Sequence, residues 1–269
     1  MTLYHTHVPI ITSTRNHRIV EASKLAQRKY RQQQNRFLVE GLQLLHMALD
    51  AGLKPLDVFY CEEQFAGEET SQLLDQFAAR NADLVPVSEH VMRKLSPRCM
   101  WQGIVTTFEM FDTTLTHYNL ADDALVLVLD RLQDTGNVGT LIRTADAVGV
   151  AGVVLIAPSV DIFDPKVVRA SMGSLFTLPV MCSDDIPGLF DWLNRAGLRP
   201  VGADLARGHW EMASGGAALV LGNEARGLSD DVWPYLADWV RLPMRGSAES
   251  LNVAVAGGVL MYDWLRVNC

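Results

Sequence analysis

Cysteine is scarce and unpatterned: four residues, at positions 61, 99, 182 and 269 of a 269-residue chain, with no Cys-x-x-Cys pair. That spacing excludes a disulfide scaffold and a cysteine-based metal site, so reduced, mostly buried thiols and no bound metal are expected. No apolar run approaches the roughly 18 residues that span a bilayer. The first residues, Met1-Thr-Leu-Tyr-His-Thr-His, show neither the basic end nor the apolar stretch of a secretory signal. A cytoplasmic protein with no membrane partner is therefore expected. The Gly-x-Gly-x-x-Gly of a dinucleotide fold is also missing, which lowers a nicotinamide or flavin enzyme in rank. There is no internal repeat and no low-complexity tract.

Positive charge is in short supply overall. The net charge of −8 lacks the basic footprint that phosphate binding usually leaves. Its distribution reopens the question. Residues 1–110 hold 12 Lys/Arg and 12 Asp/Glu, so 11 against 19 remain for residues 111–269 and the whole acid excess is carboxy-terminal. Residues 15–36 carry Arg15, Arg18, Lys24, Arg28, Lys29, Arg31 and Arg36 against Glu21 alone. Such a segment either meets a phosphate backbone or is the solvated face of a helix.

What is present is a chain long enough for two domains and a sizeable core. Residues 19–34, rich in Lys, Arg, Gln and Ala, read as a surface helix or a partly mobile arm, and residues 1–35 are taken as a basic amino-terminal arm. A small α/β domain follows at 36–110. Its expected elements are a strand at Phe37–Gly41, a helix at Leu42–Ala51 ended by Gly52, a strand at Val58–Tyr60, a helix near Ser71–Arg80, a helix capped by Ser88, and a strand at Gly103–Phe108. Residues 111–123 mix Thr, Asn, Asp and His without sustained periodicity and are the best linker candidate. In the second domain, 124–269, apolar runs at 125–129, 153–157, 198–202, 217–221 and 238–242 do not alternate. Helical patterns separate most of them, which predicts a parallel sheet covered on both faces.

Three polar blocks close apolar runs in this second domain: Asp134-Thr-Gly-Asn-Val-Gly-Thr-Leu-Ile-Arg143, Gly222-Asn-Glu-Ala-Arg-Gly227, and Pro243-Met-Arg-Gly-Ser-Ala-Glu-Ser-Leu-Asn252. Glycine lets backbone approach a ligand, and Asn, Arg, Glu and Ser supply directed hydrogen bonds, so a site assembled at strand ends is expected. Asn137 can cap a helix whose Val138, Leu141, Ile142, Ala145 and Val148 form the buried stripe, leaving Arg143 off that stripe. Glu224 is placed to hold an Arg or a ribose hydroxyl, or simply favours the start of a following helix. Ser250 or Asn252 can cap the final apolar helix, Val253 to Leu265, whose Ala, Gly and Val content allows close packing, including against a second copy.

Together, Asn137-x-Gly139-x-x-x-Arg143, Gly222-Asn-Glu224-x-x-Gly227 and Leu242-Pro-Met-x-Gly246-x-x-Glu249-Ser-Leu-Asn252 resemble the three motifs of the SpoU/TrmH family of SPOUT RNA methyltransferases. The likeness covers about residues 124–266, with modest departures at Thr135, where a Pro is frequent, and Ala254, where Ser is common. More loosely, residues 36–108, with Phe37-Leu-Val-Glu-Gly41, resemble the ribosomal-protein-like substrate-binding domain that precedes many such catalytic domains.

The resemblance implies an α/β fold with a parallel sheet and a deep trefoil knot in the catalytic domain, and a homodimer with the active site near the subunit interface. It also implies transfer of the methyl group of S-adenosylmethionine to a ribose 2′-hydroxyl in structured RNA, ribosomal RNA first and transfer RNA second. Carried onto matching positions, Arg143 activates the hydroxyl, Asn137 orients the ribose or Arg143, Glu224 holds Arg143 or substrate, and Ser250 and Asn252 shape the site. The cofactor is expected on backbone groups of Ala203, Gly222, Leu242 and Leu251. A non-catalytic RNA-binding or ribosome-assembly protein on the same fold is the alternative, and an unbroken set of motif residues speaks against it.

Overall fold

Strands that are buried along their whole length organise the carboxy-terminal half. In the computed structural model, which describes residues 9–65, 68–96, 102–115 and 118–269, β5 (Leu125–Asp130), β6 (Gly152–Ile156) and β9 (Ala217–Leu221) bury every residue. They pair in parallel with β7 (Val180–Ser183), β8 (Arg199–Ala203) and β10 (Asp238–Val240) in the order β10-β8-β9-β5-β6-β7. A strand buried on both faces has no need of alternation, which is why these runs read as continuous apolar stretches. The sheet carries one strand more than the sequence predicts, because β7 is only four residues long.

The chain divides into two units, one running to Phe111 and taking in Phe163–Arg169, the other Asp112–Ile162 with Ala170–Cys269. The first unit holds a four-stranded sheet, β1-β4-β2-β3, of β1 (Arg36–Glu40), β2 (Pro55–Tyr60), β3 (Asp83–Pro86) and β4 (Ile104–Glu109). Helices α3 (Leu42–Asp50), α4 (Glu69–Ala79) and α5 (Glu89–Leu95) accompany it. Ser88 occupies the position before α5, but its side chain makes no capping hydrogen bond.

The basic segment differs from expectation. It forms two helices, α1 (His17–Lys24) and α2 (Arg28–Gln34), not one. Ile19, Ala22 and Leu25, at threefold spacing, lie in the same core cluster as Phe59, Val91 and Val105. Three small or aliphatic residues suffice to dock a short helix, and this sparse stripe is hard to see among the charges. Arg31 is 1% exposed, its Nη1 donating to the Leu25 carbonyl at 2.7 Å and its Nη2 lying 3.7 Å from Asp164. Arg18 contacts Asp57 at 2.5 Å and Asp83 at 2.7 Å, and Arg36 contacts Asp57 at 2.8 Å. Burial draws the Arg18 guanidinium toward neutrality, but the hydrogen bonds and charges of Asp57 and Asp83 outweigh it and raise its pKa. Much of the apparent positive patch is therefore neutralised within the first unit. Residues 1–8 of the expected arm lie outside the described residues, as does Cys99.

In the second unit, the segment expected as a linker packs through Leu115, Tyr118 and Leu120 against the core that includes Val126, Phe190 and Leu193. The Thr113 carbonyl accepts from Cys182 N at 3.0 Å, and the Tyr118 carbonyl from Trp192 Nε1 at 3.3 Å. Its middle, residues 116–117, is outside the described residues. Helices α6 (Thr135–Val148), α7 (Pro165–Ala170), α8 (Ile186–Arg195) and α9 (Val253–Asn268) complete the element order. Among the described residues no helix is long and apolar enough to cross a membrane.

Candidate active site

Parallel strands deliver their following loops to one edge of the sheet, and the order β10-β8-β9-β5 makes four such loops neighbours. The three polar blocks, far apart in sequence, follow β5, β9 and β10, while the segment after β8 supplies the fourth wall. They enclose a cavity of about 1040 Å³. Asn137, Glu224, Ser250 and Asn252 line it, and so do Ala203, Gly222, Leu242 and Leu251.

Helix α6 begins differently from expectation. Asp134, not Asn137, is its cap, with Oδ1 accepting from the Asn137 backbone N–H at 2.8 Å. The acid in the cap position satisfies the first-turn donors and leaves the Asn137 amide free for the site. That amide is held on both sides: its Nδ2 donates to Glu224 Oε1 at 3.2 Å, and its Oδ1 accepts from Asn252 Nδ2 at 2.9 Å. Asn252 is also the cap of α9, its Oδ1 accepting from Ala254 N at 2.9 Å and Val255 N at 3.3 Å. An amide nitrogen carries two hydrogens, so Asn137 and Asn252 each keep one N–H for a ligand. The Ser250 hydroxyl forms no hydrogen bond among the described residues and lines the cavity.

Glu224 also accepts from the backbone N–H of Asp134 at 3.2 Å and of Gln133 at 3.4 Å. Its carboxylate thus ties the β9 loop to the β5 loop and makes no ion pair with Arg143 of its own chain. Arg143 itself is exposed on α6, does not line the cavity, and makes no hydrogen bond or ion pair among the described residues. The structure therefore unites every expected site residue except Arg143.

Two glycines of the motifs serve close approach of the chain to itself. A Cβ on Gly222 would fall 2.2 Å from the Gly227 carbonyl carbon, and one on Gly139 would fall 2.4 Å from the Ala170 Cβ. Gly246, by contrast, faces open space.

Beside the cavity, α6 and α9 frame an open depression of about 750 Å³ lined by Asn137, Thr140, Asn252, Val255, Val259 and Tyr262. Val255, Val259 and Tyr262, at i, i+4 and i+7, are 54%, 40% and 51% exposed, an apolar stripe without an intrachain cover. The two glycines of α9 differ: a Cβ on Gly257 would lie 2.5 Å from Leu221 Cδ1 and 2.6 Å from Leu141 Cδ2, so Gly257 serves packing within the chain, whereas Gly258 lines the depression beside the stripe.

Sequence reasoning overlooked Asp130, Arg131, Asn223 and Ser229, which brace the β9 loop. Asp130 was visible as a carboxylate ending an otherwise unbroken apolar strand, an expensive residue in such a place.

Comparison with known proteins gives two family matches: residues 124–262 to the SpoU rRNA Methylase family, and residues 16–106 to the MRM3-like substrate binding domain. An uncharacterized tRNA/rRNA methyltransferase of Synechocystis is 35% identical over 262 residues, covering 95% of this chain and 93% of its own. The 23S rRNA (guanosine(2553)-2′-O)-methyltransferase RlmP of Bacillus subtilis is 31% identical, covering 94% and 97%. Among solved structures, an AdoMet-bound rRNA methyltransferase from Sinorhizobium meliloti superposes with a TM-score of 0.87 at 31% identity, covering 96% of this chain and 97% of that one. A second AdoMet complex, the SpoU methyltransferase AviRb from Streptomyces viridochromogenes, gives 0.87 at 28% identity, covering 94% and 98%.

Proposed function

The chain belongs to the SpoU rRNA Methylase family, and from that premise we propose that it methylates a ribose 2′-hydroxyl of ribosomal RNA with S-adenosylmethionine. The observation that carries this reading is the convergence of three separate motif segments on one cavity, with Asn137 fixed between Glu224 and Asn252.

The cavity fits the cofactor. Its volume is ample for one nucleoside-sized ligand, and its apolar walls, among them Leu205, Leu221, Leu228 and Leu251, suit an adenine ring. Asp134, Asp204, Glu224 and Glu249 outnumber Arg226 and Arg241 in the lining, which favours a cationic sulfonium. When bound, S-adenosylmethionine supplies an electrophilic methyl group.

The chain's own residues must then position a neutral hydroxyl and ease loss of its proton. The spare N–H groups of Asn137 and Asn252 and the free Ser250 hydroxyl hold and orient the ribose. An arginine stays protonated, so Arg143 acts by lowering the hydroxyl's proton affinity, with an RNA phosphate as proton acceptor. Because Arg143 stands outside the cavity of its own chain, we assign it to the site of a second copy. Its helix borders the exposed Val255, Val259 and Tyr262 stripe, the natural face for a homodimer. The first unit, matched by the substrate-binding model, grips the RNA.

The test is methyl transfer from labelled S-adenosylmethionine to ribosomal and transfer RNA from a strain lacking the protein, followed by nucleoside analysis. A labelled 2′-O-methylnucleoside in ribosomal RNA is expected. Label confined to transfer RNA would replace the substrate, and no label at all would leave a non-catalytic RNA-binding protein.

A further inference from the structure

Behind the cavity, two consecutive residues grip the β9 loop in three places without touching the ligand space. Asp130 closes β5 and is fully buried, its Oδ2 accepting from the Ser229 backbone N–H at 2.6 Å. Its Oδ1 has no hydrogen-bond donor among the described residues, and the nearest cation is Arg131 Nε at 3.9 Å, itself buried without an acceptor. Arg131 sits in the left-handed region at φ +58°. Its carbonyl accepts from Asn223 Nδ2 at 2.9 Å, and its Nη2 reaches Asp231 Oδ2 at 2.5 Å.

The loop is therefore pinned at its start by Asn223, near its end by Ser229, and just beyond by Asp231. Between the pins, Glu224 to Leu228 line the cavity, whereas Asp130, Arg131, Ser229 and Asp231 do not. A buried carboxylate with an oxygen left over, next to a non-glycine residue at positive φ, is a costly way to end a strand. A neutral residue at 130 with ordinary backbone at 131 would end it as well, so the cost is consistent with a task in the neighbouring loop.

We propose that Asp130 and Arg131 are positioning residues for the cofactor: together they clasp the 223–231 segment and set the shape of the wall that binds S-adenosylmethionine, without a part in RNA binding. This rests on the reading of the cavity given above.

Three variants separate positioning from general stability. Asp130→Asn keeps a carbonyl acceptor for Ser229 but loses the charge opposite Arg131, and Asp130→Ala loses both. Asp231→Ala removes only the outer pin, whose carboxylate side chain is 63% exposed, and leaves the core intact. On the full-length protein, S-adenosylmethionine affinity by calorimetry, KM for each substrate, kcat and the denaturant midpoint are measured together. Asp130→Ala should raise Kd and KM for S-adenosylmethionine about tenfold with KM for RNA unchanged. Asp130→Asn should recover most of that loss, and Asp231→Ala should weaken the cofactor two- to fivefold at an unchanged midpoint. Cofactor affinity equal to wild type in both Asp130→Asn and Asp231→Ala with Asp130→Ala unfolded, or a parallel rise of both KM values in step with a lower midpoint, would overturn the clasp. Failure of the wild-type protein to bind S-adenosylmethionine would instead overturn the underlying reading of the cavity.

Discussion

The basic segment 15–36 and the loops around the large cavity are both polar, yet they spend their polarity in opposite ways. In the first, Arg18, Lys24, Arg31 and Arg36 are matched by Asp57, Asp83, Glu21 and Asp164 inside the same unit. In the second, hydrogen bonds between side chains hold groups still while leaving some of their capacity unused, as in the spare N–H of Asn137 and of Asn252. A count of charges describes composition, whereas function follows from what remains unpaired after folding.

The largest effect should come from Arg143, a motif cation that makes no hydrogen bond or ion pair among the described residues. Arg143→Ala is expected to lower kcat by about 10²- to 10³-fold, the scale of losing one charge-stabilising donor, with S-adenosylmethionine still bound because the proposed task of Arg143 is to activate the ribose hydroxyl and not to hold the cofactor. Turnover near wild type would break the contrast at its strongest point. Mixing Arg143→Ala chains with chains carrying a damaged cofactor wall sharpens it: if the site borrows Arg143 from a second copy, the mixed dimer regains part of the activity.

Next in size is a pair of glycines from the same motifs. Gly222→Ala drives a Cβ into the Gly227 backbone, which cannot yield as a side-chain end could, so the loop must move. Cofactor affinity should fall by a factor of 10 or more. Gly246→Ala meets nothing within 4 Å and should leave affinity within about twofold, as expected for an unencumbered surface change. Calorimetric titration of both variants measures the difference, and equal losses would mean that Gly222 is not there for chain packing.

The arginines of the basic segment probe the other side of the comparison. Arg31→Ala removes a buried guanidinium and leaves Asp164 and the Leu25 carbonyl short of a donor, which should cost about 3 kcal/mol of stability. Denaturant unfolding measures it, and a loss below about 1 kcal/mol would mean that Arg31 is not held as the geometry shows.

These contrasts explain what was readable in advance. The parallel sheet was visible because doubly buried strands leave unbroken apolar runs, and the site because its residues cluster at the ends of β5, β9 and β10. β7 escaped because four residues at an edge carry little pattern. The docking of α1 escaped because Ile19, Ala22 and Leu25 are outnumbered by charges. Asp134 was expected to belong to the block but not to cap it, since Asp and Asn both cap well and only the backbone register decides between them. The three-point grip of Asp130 and Arg131 has no local signature at all, because Asn223, Ser229 and Asp231 lie about 90 to 100 residues away.

The smallest expected effect belongs to two of the exposed cations of the basic segment, Arg28 and Lys29. Neither forms an ion pair among the described residues, although Lys29 lies 5.8 Å from the Tyr30 ring centre. A double Arg28→Ala, Lys29→Ala variant should therefore change stability by no more than about 0.5 kcal/mol. If these two meet phosphates, RNA affinity falls a few-fold and the slope of log affinity against log salt drops by about 1 for each phosphate that is no longer neutralised. Binding titrations at several salt concentrations give that slope directly. The same substitution at Arg18, already matched by Asp57 and Asp83, should leave the slope unchanged and lower stability instead. An equal change of slope for Arg18 and for the Arg28/Lys29 pair would erase the distinction between charges spent inside the fold and charges left for a partner.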